Sequence, residues 1–284
     1  MGSTLRCAAY LDKGGTGKTT SVGHFGVALA EAGQDVLLID LAGKQGDLSK
    51  LFGISDAVDP DDWPNIATTF QPEWKRVAEK LDDAAVDNLI YASNEGVDLI
   101  PAHQGLDSLD LELESKYDGR QKYTVFDQFL TEFVDHRYDV ILMDLPGAAN
   151  NITYNGVYAA RQVLTPVETG HFEAEQARAL VEDLDRFRNA VGCEVVLAMV
   201  LPNKVDQRTK LAERYLKQYT NEFGELVAPE PIPDSQGIRN AAANGQTVFA
   251  TEEPSRTAQR AREAFRADAD ALINRISNTV ISNV

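Results

Sequence analysis

A glycine-rich segment near the start of the chain constrains the fold more than any other part of the sequence. Residues 13–20 read Lys-Gly-Gly-Thr-Gly-Lys-Thr-Thr. A strand-like apolar run at 6–11 precedes this segment, and a helix-like run at 18–32, closed by Gly33, follows it. Glycines let successive backbone N–H groups turn to one side of such a bend, where the positive end of the helix dipole also lies. The segment is therefore predicted to bind an anion between a strand and a helix.

The residue types in this segment, which we call the phosphate loop (residues 13–20), fit a nucleoside triphosphate bound with Mg²⁺. Lys18 can reach the β- and γ-phosphate oxygens, and the hydroxyl of Thr19 can ligate the metal. The other residues expected to contact the nucleotide are Lys13, Gly14, Gly15, Thr16, Gly17 and Thr20. The alternative is a glycine-rich turn that only joins a strand to a helix, but such a turn rarely supplies Gly-Lys-Thr at the start of the helix.

Continuous apolar runs indicate how the chain continues, because such runs suit parallel strands that are buried on both faces. They occur at 36–39, 140–143, 162–167 and 194–201. Helix-compatible segments at about 125–136 and 173–191 separate the later runs. This alternation predicts an α/β fold with a doubly wound, mostly parallel sheet flanked by helices.

The length of the chain favours one undivided domain over residues 1–284. Residues 55–75, which contain three prolines and two tryptophans, are expected to form an irregular excursion. Apolar residues at helical spacing in 255–282 predict a C-terminal amphipathic helix. Because acidic residues accompany its arginines, packing on the core is favoured over binding to a membrane surface. No run reaches the roughly 18 apolar residues of a membrane span, so we expect a cytoplasmic protein.

The formal net charge of −17 requires an explanation. One explanation is a surface adapted to molar salt, where the Debye length falls to about 3 Å and self-repulsion is screened. The other is a partner with a basic surface. The spread of acidic residues through segments such as 56–62 and 79–87 favours the first, a halophilic surface.

The negative charge is unfavourable for DNA binding, which depends mainly on cations that contact phosphates. Any DNA contact therefore needs a local basic patch. The residues that could form it are Arg239, Arg256, Arg260, Arg262 and Arg266. The alternative is a solvated face on which these arginines pair with acidic neighbours such as Glu263 and Asp268.

The phosphate loop departs from the commonest form in a way that resembles one family. Asp12 stands where the common loop has its first glycine, and a second lysine, Lys13, follows it. This pattern resembles the deviant Walker A motif of the ParA/MinD/Soj family of P-loop ATPases. In that family the corresponding lysine crosses the dimer interface to the partner's phosphates. The resemblance implies the P-loop NTPase fold, ATP and Mg²⁺ as cofactors, and a homodimer that forms on ATP binding.

The resemblance covers nearly the whole chain. The segments that resemble family motifs are 36–41 and 45–46 (second strand and switch I), 96–102, 138–147 (Walker B strand and switch II), 202–206 and 232–245. The implied metal-site residues are Thr19, Asp40 and Asp144. Asn203 and Pro233 are implied to flank the nucleotide base, although an asparagine after a strand is also a common turn residue.

Switch I departs from the family pattern. Partition ATPases usually carry Asp-x-Asp there, and the second aspartate orients the attacking water, whereas this chain has Asp40-Leu41-Ala42. An alanine side chain can neither accept a proton nor hold a water molecule, which predicts slow hydrolysis unless Asp47 or Gln45 takes the role. The candidate catalytic residues are Lys13, Lys18, Asp40 and Asp47.

Three functions are compatible with a phosphate loop in this setting. The first is a dimerising ATPase switch that positions DNA or a protein cargo and that a partner protein stimulates. The second is a metabolic P-loop enzyme, such as an ATP-dependent synthetase that acts on a small molecule. The third, an electron-donating ATPase like the nitrogenase iron protein, needs cysteines near the switches. Cys7 precedes the phosphate loop and Cys193 lies far beyond switch II, which argues against it.

Overall fold

One β-sheet organises the protein, for which a computed structural model describes residues 4–43 and 46–282. The strands within these ranges are β1 (Leu5–Ala9), β2 (Val36–Asp40), β3 (Tyr91–Ala92), β4 (Asp98–Ile100), β5 (Val140–Asp144), β6 (Gln162–Val167) and β7 (Val196–Pro202). The strand order across the sheet is β3-β4-β2-β5-β1-β6-β7. Strand β3 is antiparallel to β4, and every other pair is parallel.

Helices connect the strands and cover both faces of the sheet. The α-helices of the described ranges are α1 (Lys18–Glu31), α2 (Asp47–Leu51), α3 (Trp74–Leu81), α4 (Ala84–Asp87), α5 (Leu106–Lys116), α6 (Val125–Phe133), α7 (Asn151–Ala160), α8 (His171–Val191), α9 (Lys210–Phe223), α10 (Gln236–Ala243) and α11 (Arg256–Ser282). Parallel neighbours that are not consecutive in sequence require crossover connections. The predicted α/β fold with a doubly wound, mostly parallel sheet is therefore confirmed.

The sheet separates two hydrophobic cores, because successive side chains of a strand point to opposite faces. Leu37 and Ile39 of β2 join one core, to which α5, α6, α7 and α8 contribute. Val36 and Leu38 of the same strand join the other core, together with α1 and α11. Both faces of the central strands are buried, which explains their continuous apolar sequences.

Helix α11 closes the second core. Phe265, Leu272 and Ile276 are buried there, and the ring of His24 from α1 stacks on Phe265 with 4.6 Å between ring centroids. Asp268 is buried on the same helix, and burial raises its pKa to about 8. These contacts turn the apolar face of α11 towards the sheet. In the parts of the chain that the structure describes, no helix is both long and apolar enough to span a bilayer.

The segment 55–75 is irregular but packed. It contains two short 3₁₀ turns, Ser55–Ala57 and Ile66–Phe70, before α3 begins. Asn65 caps the second turn by accepting a hydrogen bond from the backbone N–H of Ala67 at 3.0 Å. Phe70 is buried and stacks on Phe126 of α6 with 4.8 Å between ring centroids. This segment therefore covers part of the first core.

Candidate functional site

The carboxyl ends of β1, β2 and β5 meet at one edge of the sheet. β2 and β5 are in register so that Asp40 lies opposite Asp144, and Ala9 of β1 lies on the other side of Asp144. A cavity of about 550 Å³ opens at this edge. The predicted site residues that line it are Gly14, Gly15, Gly17, Lys18, Thr19, Thr20, Asp47 and Asp144. Crevices at the carboxyl ends of parallel strands are the usual ligand sites of such folds.

The phosphate loop has backbone geometry that its glycines make possible. Gly15 and Gly17 have φ angles of +78° and +97°, in the left-handed region that favours glycine. A Cβ at Gly17 would lie 2.2 Å from Nδ2 of Asn203, so a side chain would also collide there. Helix α1 starts at the next residue, Lys18. The loop therefore leads directly into a helix N-terminus, where backbone N–H groups are free to bind an anion.

The ammonium group of Lys18 lies against the phosphate loop. Its Nζ donates hydrogen bonds to the backbone oxygens of Lys13 at 2.7 Å and Leu11 at 3.2 Å. Burial lowers the pKa of Lys18, and the charges of Asp144 and Asp12 oppose that shift. An anion that entered the loop would give this largely buried cation a stronger partner than the carbonyl oxygens.

The buried carboxylate of Asp144 at this edge has an oxygen without a hydrogen-bond partner among the described residues. It is 1% exposed, its Oδ2 accepts a hydrogen bond from the hydroxyl of Thr19, and its Oδ1 has no hydrogen-bond partner. Burial, followed by the charge of Asp40, raises the pKa of Asp144. A hydrated cation beside Thr19 would compensate this charge, so the residues present fit a magnesium site.

A metal at this position needs ligands besides protein carboxylates. Within residues 4–43 and 46–282, no group of three or more His, Cys, Asp or Glu side chains is arranged to hold a metal ion. Mg²⁺ commonly uses one or two protein ligands and completes its shell with water and substrate phosphates. The site therefore suits a metal that arrives with a nucleotide.

Asp40 lies at the start of the switch I loop (residues 40–47). It is fully buried, its Oδ1 accepts a hydrogen bond from the backbone N–H of Ala42 at 2.9 Å, and its Oδ2 accepts one from Leu48 at 3.3 Å. Burial raises the pKa of Asp40, whereas these two hydrogen bonds oppose the shift. In this arrangement the carboxylate holds the backbone N–H groups of Ala42 and Leu48, and its predicted contact with the metal shell stays a prediction.

Among the described residues of the switch I loop, two face the cavity. Ala42 lines it, as does Asp47, the first residue of α2. The carboxylate of Asp47 pairs with the exposed ammonium of Lys50 at 3.1 Å. Gln45, the other candidate to replace the missing aspartate, lies outside the described residues. Asp47 is thus on the cavity wall, but its role in hydrolysis stays a prediction.

Asn203 and Lys204 hold the phosphate loop from behind. Nδ2 of the buried Asn203 donates to the backbone oxygen of Thr16 at 2.8 Å, and its Oδ1 accepts from the N–H of Lys204 at 2.9 Å. The ammonium of Lys204 donates to the backbone oxygen of Gly15 and pairs with Glu168 at 2.8 Å. These contacts fix two consecutive carbonyls of the loop. Sequence reasoning missed Lys204, because no local pattern indicates a contact with a residue so distant in the chain.

The structure shows where the two residues predicted to flank the nucleotide base, Asn203 and Pro233, lie. Pro233 forms an isolated parallel bridge with Val205, and Val205 donates its backbone N–H to Ile232 at 2.9 Å. The late loop therefore lies beside the segment that carries Asn203. Both polar atoms of Asn203 already contact protein groups, so recognition of a base edge by this residue stays a prediction.

The side chain of Lys13 makes its ion pair outside its own phosphate loop. Its Nζ lies 2.7 Å from Oε1 of Glu173, in the first turn of α8, and 34% of its side chain is exposed. The structure thus separates the two lysines of the loop: Lys18 lies on the loop backbone, and Lys13 contacts another element of the same chain.

The chain is similar in sequence to several known proteins. A family model described as an AAA domain matches residues 6–196. The chromosome partitioning protein ParA of Caulobacter vibrioides is 30% identical over 237 residues, which cover 84% of this chain and 83% of that protein. The chromosome-partitioning ATPase Soj of Treponema pallidum is 30% identical over 248 residues, which cover 87% of this chain and 89% of that protein.

Two solved structures show similar folds. Cobyrinic acid a,c-diamide synthase from Mycobacterium smegmatis with bound ADP and magnesium superimposes with a TM-score of 0.72 at 25% identity, covering 95% of this chain and 94% of that one. An ATP complex of McdA from Cyanothece gives a TM-score of 0.76 at 21% identity, covering 95% of this chain and 97% of that one. The second similarity concerns the fold alone.

Proposed function

Since this chain belongs to the ParA/MinD/Soj family of P-loop ATPases, we propose that it is an ATP-dependent switch that forms a homodimer and positions or segregates a cargo. The observation that carries this proposal is the ion pair of Lys13, whose ammonium group contacts Glu173 of another element while the ammonium group of Lys18 stays on the loop backbone. A lysine that does not serve its own nucleotide is available to serve the nucleotide of a second subunit. The chromosome-partitioning relatives support a positioning role, and we place the switch in the cytoplasm, in association with the nucleoid.

The cofactors are ATP and Mg²⁺: ATP would supply the γ-phosphoryl group that water accepts, leaving ADP and phosphate, and Mg²⁺ would offset the charge on the phosphate oxygens. We assign nucleotide binding to Lys13, Gly14, Gly15, Thr16, Gly17, Lys18, Thr19 and Thr20, with Asn203 and Pro233 near the base. We assign the metal site to Thr19, Asp40 and Asp144, with Asp40 helping to order the shell around the metal. The two lysines would stabilise the negative charge that develops on the phosphoryl oxygens.

Ala42→Asp is expected to raise the rate of ATP hydrolysis at least about tenfold, because a positioned general base typically contributes 10²- to 10⁴-fold. Ala42 lines the cavity in the switch I loop, so a carboxylate there can hold a water molecule. Phosphate release at saturating ATP·Mg²⁺ measures the effect. Asp47→Asn is the companion variant: if Ala42→Asp leaves the rate unchanged and Asp47→Asn lowers it, Asp47 already positions the water.

The arginines considered for a DNA patch are mostly engaged within the chain. Arg239 contacts Asp234, and Arg260 donates to Oε1 of Gln207 at 2.6 Å. Two others are also bound: Arg262 donates to the backbone oxygens of Val248 and Thr251, and Arg266 pairs with Glu31. In a single subunit, two of these arginines are thus already paired with carboxylates, and two more are held by neutral oxygens of the chain.

We therefore expect weak DNA binding by the nucleotide-free monomer. The slope of log affinity against log salt should be no steeper than about −2, corresponding to two phosphate contacts or fewer. A salt series with duplex DNA, with and without ATP·Mg²⁺, measures this slope. A steep slope that appears only with ATP would instead identify DNA as the cargo, bound by a surface that the dimer assembles.

One structural similarity favours a second candidate function. The cobyrinic acid a,c-diamide synthase structure shares the fold over 95% of this chain, so a metabolic synthetase that uses ATP on a small molecule is the alternative. Such an enzyme needs substrate-binding side chains opposite the phosphates. The cavity lining instead consists mainly of the phosphate loop, the switch residues and Lys204. ATP turnover that depends strictly on an added small carboxylate would favour the synthetase.

A further inference from the structure

The ion pair between Lys13 and Glu173 links the phosphate loop to the start of α8. Nζ of Lys13 lies 2.7 Å from Oε1 of Glu173, and the two side chains are 34% and 19% exposed. The contact is a charge-assisted hydrogen bond that water only partly screens. It also lowers the pKa of Glu173. The carboxylate of Glu173 therefore competes with any other anion for the ammonium group of Lys13.

The backbone around Lys13 fixes where its side chain starts. Its N–H donates to the backbone oxygen of Leu11 at 2.7 Å, and its own oxygen accepts from Lys18 at 2.7 Å. A Cβ at Gly147 would lie 2.9 Å from the same oxygen, so the switch II loop (residues 144–147) packs directly on this peptide. The backbone from which the Lys13 side chain extends is thus held by groups that belong to the nucleotide site.

The carboxylate of Glu173 is held in place by the start of its helix. Glu173 lies in the first turn of α8, where the helix dipole favours a negative charge. A Cβ at Gly170 would lie 2.1 Å from Oε2 of Glu173, so the glycine leaves the space that this carboxylate occupies. Other acidic residues nearby have other partners: Glu168 pairs with Lys204, and Glu175 pairs with His171.

We propose that Glu173 is a positioning residue that holds Lys13 within its own subunit, so that the triphosphate bound to a second copy of this chain must displace Glu173 to gain the lysine. The inference rests on the proposed dimerisation switch and adds a residue that sets the dissociation constant of the dimer. A partly exposed ion pair changes an equilibrium constant by up to about fivefold. Because two such pairs break in each dimer, the carboxylates together would weaken dimerisation by up to about 25-fold.

The test compares Glu173→Gln with Glu175→Gln, an exposed control two residues further along α8. Sedimentation velocity with a saturating non-hydrolysable ATP analogue and Mg²⁺ gives the dimer dissociation constant. For Glu173→Gln we expect a constant about 5- to 25-fold lower than that of the parent, with unchanged nucleotide affinity of the monomer. The control should match the parent. An equal or weaker dimer for a folded Glu173→Gln protein overturns the proposal.

A second measurement tests the contact without any dimer. In the nucleotide-free monomer, Glu173→Gln should increase the rate at which an amine-acylating reagent modifies Lys13, followed by mass spectrometry, while Lys75 is modified at an unchanged rate. Unchanged labelling of Lys13 overturns the inference by itself. Faster labelling with no dimer in any variant would retain the contact but refute the dimerisation switch, so the two failures are distinguishable.

Discussion

Lys13→Ala is expected to remain a monomer at ATP·Mg²⁺ concentrations that convert the parent protein into a dimer, while it still binds nucleotide. The ammonium group of Lys13 is bound to Glu173 rather than to its own phosphate loop. Removing it should therefore leave Lys18 and the loop backbone free to hold ATP. What is lost is the positive charge that we propose to reach the phosphates of the partner.

The expected size of this effect follows from the number of contacts. A hydrogen bond to a charged group contributes about 1.5–3 kcal/mol. Two such contacts are lost per dimer, so dimerisation should weaken by roughly 10²- to 10⁴-fold. Sedimentation velocity measures the dimer, and equilibrium dialysis measures nucleotide binding. Lys75→Ala, which removes an exposed lysine on α3, is the matched control. A dimer of unchanged affinity in Lys13→Ala would refute the role of this residue.

Asp144→Asn should lower ATP hydrolysis by about 10- to 100-fold, the usual loss when a residue that acts on a metal through its bound water is removed. Oδ1 of Asp144 has no hydrogen-bond partner in the protein, whereas Oδ2 accepts a hydrogen bond from the hydroxyl of Thr19. The variant should also need more Mg²⁺ for half-maximal activity. Asp270→Asn, at an exposed position of α11, should leave both quantities unchanged. An Asp144→Asn enzyme with the parental magnesium dependence would show that the metal lies elsewhere.

The same substitution should change how stability depends on pH. Burial raises the pKa of Asp144 in the folded protein above the value of about 4 expected in the unfolded chain. The folded state then binds the proton more tightly, so this contribution to stability is complete below about pH 4 and is lost as pH rises towards the folded-state pKa. Denaturant unfolding of the nucleotide-free proteins at pH 5 and pH 8 should therefore show a smaller loss of stability in Asp144→Asn than in the parent.

The sequence predicts the central part of the fold because local patterns and burial agree there. The run at 162–167 coincides with β6, and the helix predicted from residue 18 begins at Lys18. The ends of the strands and helices were less predictable. Strand β1 ends at Ala9, although the apolar run continues to Leu11, because the chain turns there into the phosphate loop. Helix α8 begins two residues before the predicted start at 173, at His171 after Gly170.

The phosphate loop was predictable because its residues are consecutive, whereas its supporting contacts were not. Glu173 and Lys204 contact the loop from 160 and 189 residues away. No spacing rule links such positions, since the crossovers of the sheet bring them together. The backbone contact of Asp40 had a local signal: an aspartate often accepts a hydrogen bond from the N–H two residues later, here that of Ala42.

The mass of the parent protein in three nucleotide states tests the central claim most directly. Sedimentation velocity should give a monomer of 31.1 kDa without nucleotide and with ADP·Mg²⁺. A species of twice that mass should form with a non-hydrolysable ATP analogue and Mg²⁺. A protein that binds the analogue to saturation and stays at the monomer mass would contradict the account.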